Sequence, residues 1–179
     1  MINSGFILSA TDPLPTPSVK AEQVHGSKIA LVDASHAGQT IPGVDGLITG
    51  QKDLFLTIRT ADCLPLSLYN PKRQIIGLIH AGWSGIKQGI HLKALSLLNS
   101  SPEDVLVNLG PSVCEHCYHR HFDLSGTVRR DLTDLGIPAA NINRSSVCTC
   151  EDTRFPSHQR SFTTGEPEGR ILNFISLTP

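Results

Sequence analysis

The chain has 179 residues, of which 39% are hydrophobic and 17% are charged, with a formal net charge of −1. This length can bury a sizeable core, and we expect a single domain spanning residues 1–179. The near-neutral charge excludes a broad electrostatic attraction to nucleic acid or to an anionic membrane. No apolar run approaches the roughly 18 residues that a membrane span requires.

Cysteine usage and the N-terminal sequence indicate the cellular setting. The five cysteines are an odd number, which fits reduced thiols better than a disulfide framework. The N-terminus has no basic region followed by a long apolar segment, so a secretory signal is not expected. We therefore expect a cytoplasmic protein. We also expect a monomer or a homodimer whose partners are small molecules, with no nucleic-acid or membrane partner.

Short apolar runs separated by turn residues predict mostly strands. The predicted strands are residues 5–8 (within 1–10), 29–32, 47–49, 54–60, 64–69, 74–79, 105–109, 147–150 and 171–177. The proline-rich residues 11–18 are expected to be a linker or an extended surface segment, and residues 33–44 a long loop. Helical spacing is found only in residues 86–98 and 125–135. Many strands with two helices favour an α+β fold over an alternating parallel one.

Two of these strands predict a hairpin that brings two metal-binding residue types together. Residues 70–73 have turn chemistry, so a hairpin closing on them pairs Tyr69 with Gln74. The same register places Cys63 opposite His80. Directly opposed side chains share a face, with Cβ atoms about 4.5–5.5 Å apart, which suits two ligands of one metal unless a bulge intervenes.

His25 is a third candidate ligand. It lies just ahead of a predicted strand and is followed by Gly26, which lets the backbone bend close to a ligand. Taken singly, His25 and Cys63 also fit an exposed histidine and a buried thiol. Together with His80 they form three protein ligands for zinc, and catalytic zinc sites keep a fourth position open for water or substrate. The trio therefore predicts a zinc enzyme if it converges in space.

The segment after His80 predicts an anion site. Gly82-Trp83-Ser84-Gly85 precedes a predicted helix, where free backbone N–H groups and the helix dipole favour an anion such as phosphate. The alternative is a glycine turn with Trp83 in the core. Arg59 is expected on the same strand face as Cys63, either as a phosphate or substrate clamp or as a solvated edge residue. Asp62 is expected either to orient a ligand or to cap a turn.

A second group of cysteines and histidines lies further along the chain. Cys114-x-x-Cys117 is accompanied by His116, His119 and His121, and Cys148-x-Cys150 follows later. Such residues are compatible with a second zinc site. Their spacing departs from the regular paired C-x-x-C pattern, so structural thiols are the favoured interpretation.

Six motifs, taken in this order, resemble those of the YfiH-type family, also called the laccase-domain or multicopper polyphenol oxidoreductase family. They are Gln23-Val24-His25-Gly26, Asp45-Gly46-Leu47-Ile48-Thr49, Thr60-Ala61-Asp62-Cys63-Leu64-Pro65, His80-Ala81-Gly82-Trp83, Leu109-Gly110-Pro111 followed by Cys117-Tyr118, and Cys148-Thr149 with Ser157-His158-Gln159-Arg160 and Gly169-Arg170. The resemblance runs from about residue 23 to the C-terminus.

The resemblance implies a fold, a metal and an activity. The fold is a layered sandwich of mixed sheets flanked by helices, shared with cysteine-hydrolase-like toxins. Residues matching His25, Cys63 and His80 bind zinc in that family, and older descriptions assign a copper-dependent phenol oxidase. Members are described as purine nucleoside phosphorylases that cleave adenosine, inosine and methylthioadenosine with phosphate, and that also deaminate adenosine. Editing of peptidoglycan precursors has also been proposed.

Two departures from the family pattern bear on the substrate. The family's N-terminal Gly-Gly-Val-Ser-like and Asn-Arg motifs are missing, so we expect a more open pocket or one completed by another subunit. The arginine that usually follows the tryptophan is Ser84 here. If that arginine holds phosphate, either Arg59 or Arg160 replaces it or phosphorolysis is weakened.

Three other functions are alternatives to a zinc phosphorylase. A metal-free cysteine hydrolase, such as an amidase acting on peptidoglycan precursors, would use Cys63 as nucleophile and His80 as base. A multicopper oxidase needs several histidine clusters, which eight scattered histidines do not supply. A zinc-stabilised binding module would hold the metal without catalysis.

Overall fold

Strands of the two mixed sheets make up most of the regular structure in the computed structural model, which describes residues 1–7 and 15–178. The strands are β1 (Ile2–Ile7), β2 (Ser18–Ala21), β3 (Ile29–Leu31), β4 (Thr40–Ile41), β5 (Gly46–Thr49), β6 (Phe55–Thr60), β7 (Leu64–Asn70), β8 (Ile75–Ala81), β9 (Leu106–Leu109), β10 (Ile142–Arg144) and β11 (Ile171–Leu177). The first sheet has the order β1-β11-β6-β2-β4 and the second β10-β9-β7-β8-β5-β3. Each contains both parallel and antiparallel pairs.

Helices cover one face of the second sheet. They are α1 (Trp83–Lys87), α2 (Ile90–Leu98) and α3 (Leu124–Asp134), and a fourth helix, α4 (His158–Thr164), precedes β11. Short 3₁₀ turns occupy Ala34–His36, Pro102–Asp104 and Ala139–Asn141. Apolar residues of α1, α2 and α3 pack with those of β7, β8 and β9 in one buried cluster. No helix in the described ranges combines the length and apolar character that crossing a membrane requires.

Side-chain alternation assigns the two faces of the central hairpin. In β8, Ile76 and Leu78 enter the core between the sheets, whereas Ile79 and Ala81 face the helices. The core between the sheets also takes Val19, Leu56, Ile58 and Ile175 from the first sheet. By the same alternation His80 belongs to the face between the sheets, at its end. The layered α+β sandwich expected from the sequence is confirmed.

The predicted hairpin exists, but its predicted register is wrong by two residues. Asn70 pairs with Ile75, and His80 pairs with Pro65 rather than with Cys63. The turn is Pro71–Gln74, where Asn70 Oδ1 accepts a hydrogen bond from the backbone N–H of Arg73 and Gln74 has a φ of 51°. A shift by an even number keeps every side chain on its face. Cys63 therefore lies diagonally from His80, one residue before β7 begins.

Other differences from the predicted elements have local causes. The helix predicted over residues 86–98 begins earlier, at Trp83, and is divided at Gly89, whose φ of 73° cannot continue an α-helix. Residues 147–150 are not a strand and form only an isolated bridge between Cys148 and Ser112. The sequence did not predict β2, β4, β10 or α4, which are short or polar. The expectations for residues 8–14 lie outside the described residues.

Candidate active site

The three candidate ligands converge at one end of the sandwich. One ligand atom from each of His25, Cys63 and His80 lies within 4.8 Å of the other two. His80 is buried at the penultimate position of β8, Cys63 is half-buried before β7, and His25 is exposed in the loop after β2. The structure thus brings together residues that are 17 to 55 positions apart in the chain.

One buried aspartate holds both histidines. Asp45 is 0% exposed, and its carboxylate accepts hydrogen bonds from the backbone N–H groups of Val24, His25 and Gly26 at 3.2, 2.9 and 2.7 Å. The same carboxylate lies 2.8 Å from Nδ1 of His80. Because a carboxylate only accepts, His80 carries its proton on Nδ1 and presents Nε2 to the cluster.

The sequence did not predict this role of Asp45, which stood out there only as part of a motif. The available signal was its position beside the mostly apolar segment Gly46–Thr49, where a carboxylate is costly to bury unless several donors surround it. The loop needs that anchor, since His25 has a left-handed φ of 58° and Gln23 a φ of 67°. The Gln23 side-chain amide also binds the backbone of Arg59 in β6, because its NH₂ group donates to the Arg59 carbonyl and its oxygen accepts from the Arg59 N–H.

The electrostatics of the cluster favour an ionised thiol. Burial alone would raise the pKa of Cys63, but hydrogen bonds with His25 and His80 outweigh it and lower that pKa to about 6. For His80, burial acts to lower the pKa, while hydrogen bonds with Asp45 and Cys63 raise it to about 9. At neutral pH the metal-free cluster therefore holds a Cys63 thiolate beside a His80 imidazolium.

Gly82 lies in the middle of the trio. A Cβ at this position would be 3.1 Å from Cys63 Sγ, 3.3 Å from His25 Cδ2 and 3.8 Å from His80 Cε1. Gly82 is buried and has a φ of −76°, which any residue can adopt. The absence of a side chain here, rather than backbone freedom, is thus what keeps space between the three ligands.

The trio opens into a cavity of about 660 Å³ whose lining has more arginines than carboxylates. Arg59, Arg120 and Arg170 all line it. The guanidinium of Arg120 lies 4.3 Å above the ring of Trp83, and Arg170 pairs with Glu168 at 3.0 Å. The remaining lining residues are Glu22, Gln23, His25, Ala61, Asp62, Cys63, His80, Ser84, Tyr118, His119, Leu124, His158 and Gln159. The sequence predicted Arg59 here but missed Arg120 and Arg170, which lie in irregular segments without periodicity.

Two expected roles need correction. The Asp62 carboxylate contacts none of the three candidate ligands within the described residues; it accepts hydrogen bonds from Thr149 Oγ1 at 2.7 Å and from the backbone N–H of Gln159 at 2.6 Å. It ties the C-terminal segment to the site instead. Arg160 does not line the cavity, since its guanidinium donates to the carbonyls of Thr149, Cys150 and Phe155 and to the Glu166 carboxylate.

The predicted anion segment is only partly at the cavity. Trp83 and Ser84 line it, but α1 has five residues and thus few aligned peptide dipoles. Gly85 packs against the His25 loop, because a Cβ there would lie 2.7 Å from the carbonyl oxygen of Gly26. The lack of a side chain at Gly85 is therefore explained by this close approach.

The second cysteine and histidine group separates in space. Cys114, His116 and Cys117 form a compact cluster with Glu151. His119 lies instead at the main cavity, where its Nδ1 is 2.8 Å from Gln159 Oε1.

Known proteins share this fold and about a third of the aligned residues or fewer. The chain is 32% identical over 197 residues to the purine nucleoside phosphorylase YlmD of Geobacillus stearothermophilus, covering 88% of this chain and 71% of that one. It is 26% identical over 181 residues to adenosine deaminase RL5 from an unknown prokaryotic organism, covering 79% and 69%. The crystal structure of YlmD from Geobacillus stearothermophilus matches with a TM-score of 0.85 at 30% identity, over 91% of this chain and 74% of that one.

A family model described as multi-copper polyphenol oxidoreductase laccase matches residues 6–121 and 119–178, nearly the whole chain. The resemblance drawn from the six motifs is thereby confirmed. The chain belongs to this family of laccase-like, YfiH-type proteins.

Proposed function

We propose that this chain is a zinc-dependent purine nucleoside phosphorylase that cleaves adenosine, inosine or methylthioadenosine with phosphate and also deaminates adenosine. The observation that carries the proposal is the convergence of two imidazoles and one thiol on a cavity whose wall holds three arginines. The names of the relatives, purine nucleoside phosphorylase and adenosine deaminase, support the same class of substrate.

The donor set fits zinc. Two histidine nitrogens and one cysteine sulfur within 4.8 Å of one another suit a tetrahedral ion with a fourth position toward the cavity. The carboxylate of Asp45 on Nδ1 of His80 is the kind of outer partner that fixes a metal-binding imidazole. The lowered pKa of Cys63 favours the thiolate that a metal requires.

When bound there, zinc would supply Lewis-acid chemistry, activating phosphate or water. The chain's own residues would bind the rest of the substrate. The guanidinium of Arg59 has no hydrogen-bond acceptor within residues 1–7 and 15–178, so it is available to an oxyanion. Arg120, held against Trp83, and Arg170 would add positive charge around the same anion. Tyr118, which lines the cavity, offers aromatic surface to the purine base.

Copper is the other metal to consider. Two imidazoles and one thiolate are also the trigonal ligand set of blue-copper sites. A multicopper oxidase needs further histidine clusters, and the described residues hold only one other group of metal-binding side chains, which contains a single histidine. We therefore assign zinc as the working metal, and an intense visible absorption after loading with Cu(II) would contradict that assignment.

The direct test is turnover of inosine and adenosine by zinc-loaded protein, with and without phosphate. We expect phosphate-dependent release of hypoxanthine and adenine, and phosphate-independent conversion of adenosine to inosine. Cys63→Ala should abolish both reactions, whereas Cys150→Ser, a change of another half-buried cysteine, should retain them. A folded Cys63→Ala protein with full nucleoside cleavage would disprove the proposal.

One observation favours a second candidate, a metal-free cysteine hydrolase. Cys63, His80 and Asp45 form a relay in which the thiol contacts an imidazole that is itself oriented by a carboxylate. Such an enzyme would act on an amide, with peptidoglycan precursors as the substrates to try first. Activity that survives a chelator but not iodoacetamide would support this candidate over the zinc enzyme.

A further inference from the structure

A second compact group of metal-binding side chains lies outside the candidate active site. Cys114, His116 and Cys117 come from the loop between β9 and α3, and Glu151 comes from the segment after β10. One ligand atom from each lies within 4.8 Å of the other three. His116 Nε2 is 2.7 Å from Glu151 Oε1 and 3.7 Å from Cys114 Sγ.

The backbone holds the two segments together independently of these side chains. Ser112 and Cys148 form a parallel bridge, and the N–H of Thr149 donates to the carbonyl of Ser112 at 3.1 Å. The N–H of Cys114 donates to Cys148 Sγ at 3.2 Å. The four side chains are therefore presented by a fixed frame rather than by two independent loops.

We propose that Cys114, His116, Cys117 and Glu151 bind a second divalent ion of the zinc class. Two sulfurs and one imidazole select a borderline-soft metal over magnesium or calcium, which prefer oxygen ligands. A tetrahedral zinc ion, with Zn–S near 2.3 Å and Zn–N near 2.0 Å, places its ligand atoms about 3.3–3.8 Å apart. The ligand atoms lie within 4.8 Å of one another, somewhat wider than this spacing. Because the His116 and Glu151 side chains are 72% and 57% exposed, they can move closer without disturbing the core.

The ligand count assigns this site a structural role. Four protein ligands fill a tetrahedral zinc, whereas the trio at the cavity leaves one position open. The ion would tie together two segments that reach the active site. Tyr118, His119 and Arg120 directly follow Cys117 and line the cavity, and Thr149, two residues before Glu151, binds Asp62. Metal at the second site would thus fix the wall that carries Arg120.

Metal content is the first test, and it stands apart from the proposed enzyme activity. Protein equilibrated with zinc and a reductant, then freed of unbound metal by gel filtration, should contain about two zinc ions per chain. We expect Cys114→Ser/Cys117→Ser to lose one ion and Cys63→Ala to lose the other. His116→Ala/Glu151→Gln changes only exposed side chains and should also lose the second ion, even if the cysteine variant folds poorly.

Cys150→Ser is the matched control, because Cys150 lies near Cys117 but outside the assigned ligand set. It should retain both ions, and loss of one would overturn the assigned ligands. The proposal also fails if the Cys114→Ser/Cys117→Ser protein binds as much zinc as reduced wild-type protein, or if the His116→Ala/Glu151→Gln protein does. The sulfurs of Cys114 and Cys148 are 2.6 Å apart. A disulfide between them that persists in the presence of the reductant and blocks zinc uptake would also overturn the proposal.

Fluorescence tests the link to the cavity wall. Trp83 is the only tryptophan in the chain, and Arg120 lies over its ring. In a Cys63→Ala background, where the trio is disabled, adding zinc should change the Trp83 emission. The change should vanish when Cys114→Ser/Cys117→Ser is added. Zinc uptake by Cys63→Ala protein without any change in emission would overturn the role assigned to the ion.

Discussion

Asp45 Oδ1 lies 2.8 Å from Nδ1 of His80, and the same carboxylate receives the backbone N–H groups that shape the His25 loop. A single buried side chain thus sets the orientation of one candidate ligand and the position of another. Neither ligand residue would be well placed without it.

Replacing this carboxylate should weaken metal binding. Asp45→Asn keeps the shape but turns an NH₂ group toward backbone donors, so we expect the zinc affinity to fall by roughly 10- to 100-fold. Competition with a chelator measures it. Asp33→Asn is the control, since Asp33 also receives backbone and side-chain donors but lies exposed and away from the cavity. Unchanged affinity in Asp45→Asn would contradict the role given to this residue.

Metal-free protein should show one unusually reactive cysteine. Because hydrogen bonds with His25 and His80 lower the pKa of Cys63 to about 6, its alkylation by iodoacetamide should rise with pH around 6 and level off near 7. Cys114 and Cys117 have raised pKa values, mainly through burial, and should react only in alkaline solution. Peptide mass mapping identifies the site. Alkylation of Cys63 that rises only near pH 9 would show that the thiolate is not stabilised.

Crowding the centre of the trio should impair the metal site while sparing the fold. Gly82→Ala places a methyl group 3.1 Å from Cys63 Sγ, at a backbone conformation that alanine adopts freely. We expect zinc affinity to fall by roughly tenfold or more, because mutating a residue that only supports a metal ligand already costs about that much. Gly50→Ala is the matched control, because its Cβ meets only Gln74 O at 3.5 Å. Equal zinc affinity in the two variants would argue against this packing.

Asp62 should matter for stability more than for metal binding. Asp62→Asn keeps the size and tolerates the φ of 82°, but its neutral amide loses both charge-assisted hydrogen bonds, because its oxygen must face the Gln159 N–H while its NH₂ group reverses the hydrogen bond to the Thr149 hydroxyl. We expect a loss of about 1–3 kcal/mol in the free energy of unfolding. Denaturant unfolding measures it, with zinc content as the second readout. Reduced zinc content at unchanged stability would instead indicate that Asp62 orients a ligand.

Arg59 should act on phosphate. If the enzyme is a phosphorylase, Arg59→Ala should raise KM for phosphate by roughly 10- to 100-fold, the value of one charge-assisted hydrogen bond. Arg73→Ala removes an arginine that is exposed in the hairpin turn and serves as the control. A rise in KM for the nucleoside alone would instead assign Arg59 to the sugar or the base.

Local pattern predicted the central part of this fold because burial there is regular. The apolar runs of β7 and β8 on either side of turn residues identified the hairpin, and the even register error left Cys63 and His80 on one face. The turn itself was harder to predict, since Asn70 continues the strand while Gln74 takes a left-handed φ. Short strands such as β4, with two residues, have no periodicity to detect.

The candidate ligands were predictable from residue type, but their surroundings were not. Asp45 contacts His80 across 35 positions, and Arg120 reaches Trp83 across 37. Such contacts depend on how two sheets and their loops pack, and no local pattern encodes them. Arg160, in contrast, was predicted at the site from a family motif, but its guanidinium donates to carbonyl groups of its own segment.

The contact between Cys63 and His80 also has a consequence for proton balance. An ordinary cysteine titrates at 9.0 and an ordinary histidine at 6.5, whereas in the folded metal-free protein the pKa values are about 6 and about 9. The stabilisation from His80 is complete below pH 6.5 and is lost as pH rises through about 9, whereas that from Cys63 is complete above pH 9.0 and is lost as pH falls through about 6. Between about pH 6.5 and pH 9.0, folding moves one proton from the Cys63 sulfur to the His80 imidazole and exchanges none with the solvent. The pair therefore strengthens the fold without leaving a slope in the dependence of stability on pH.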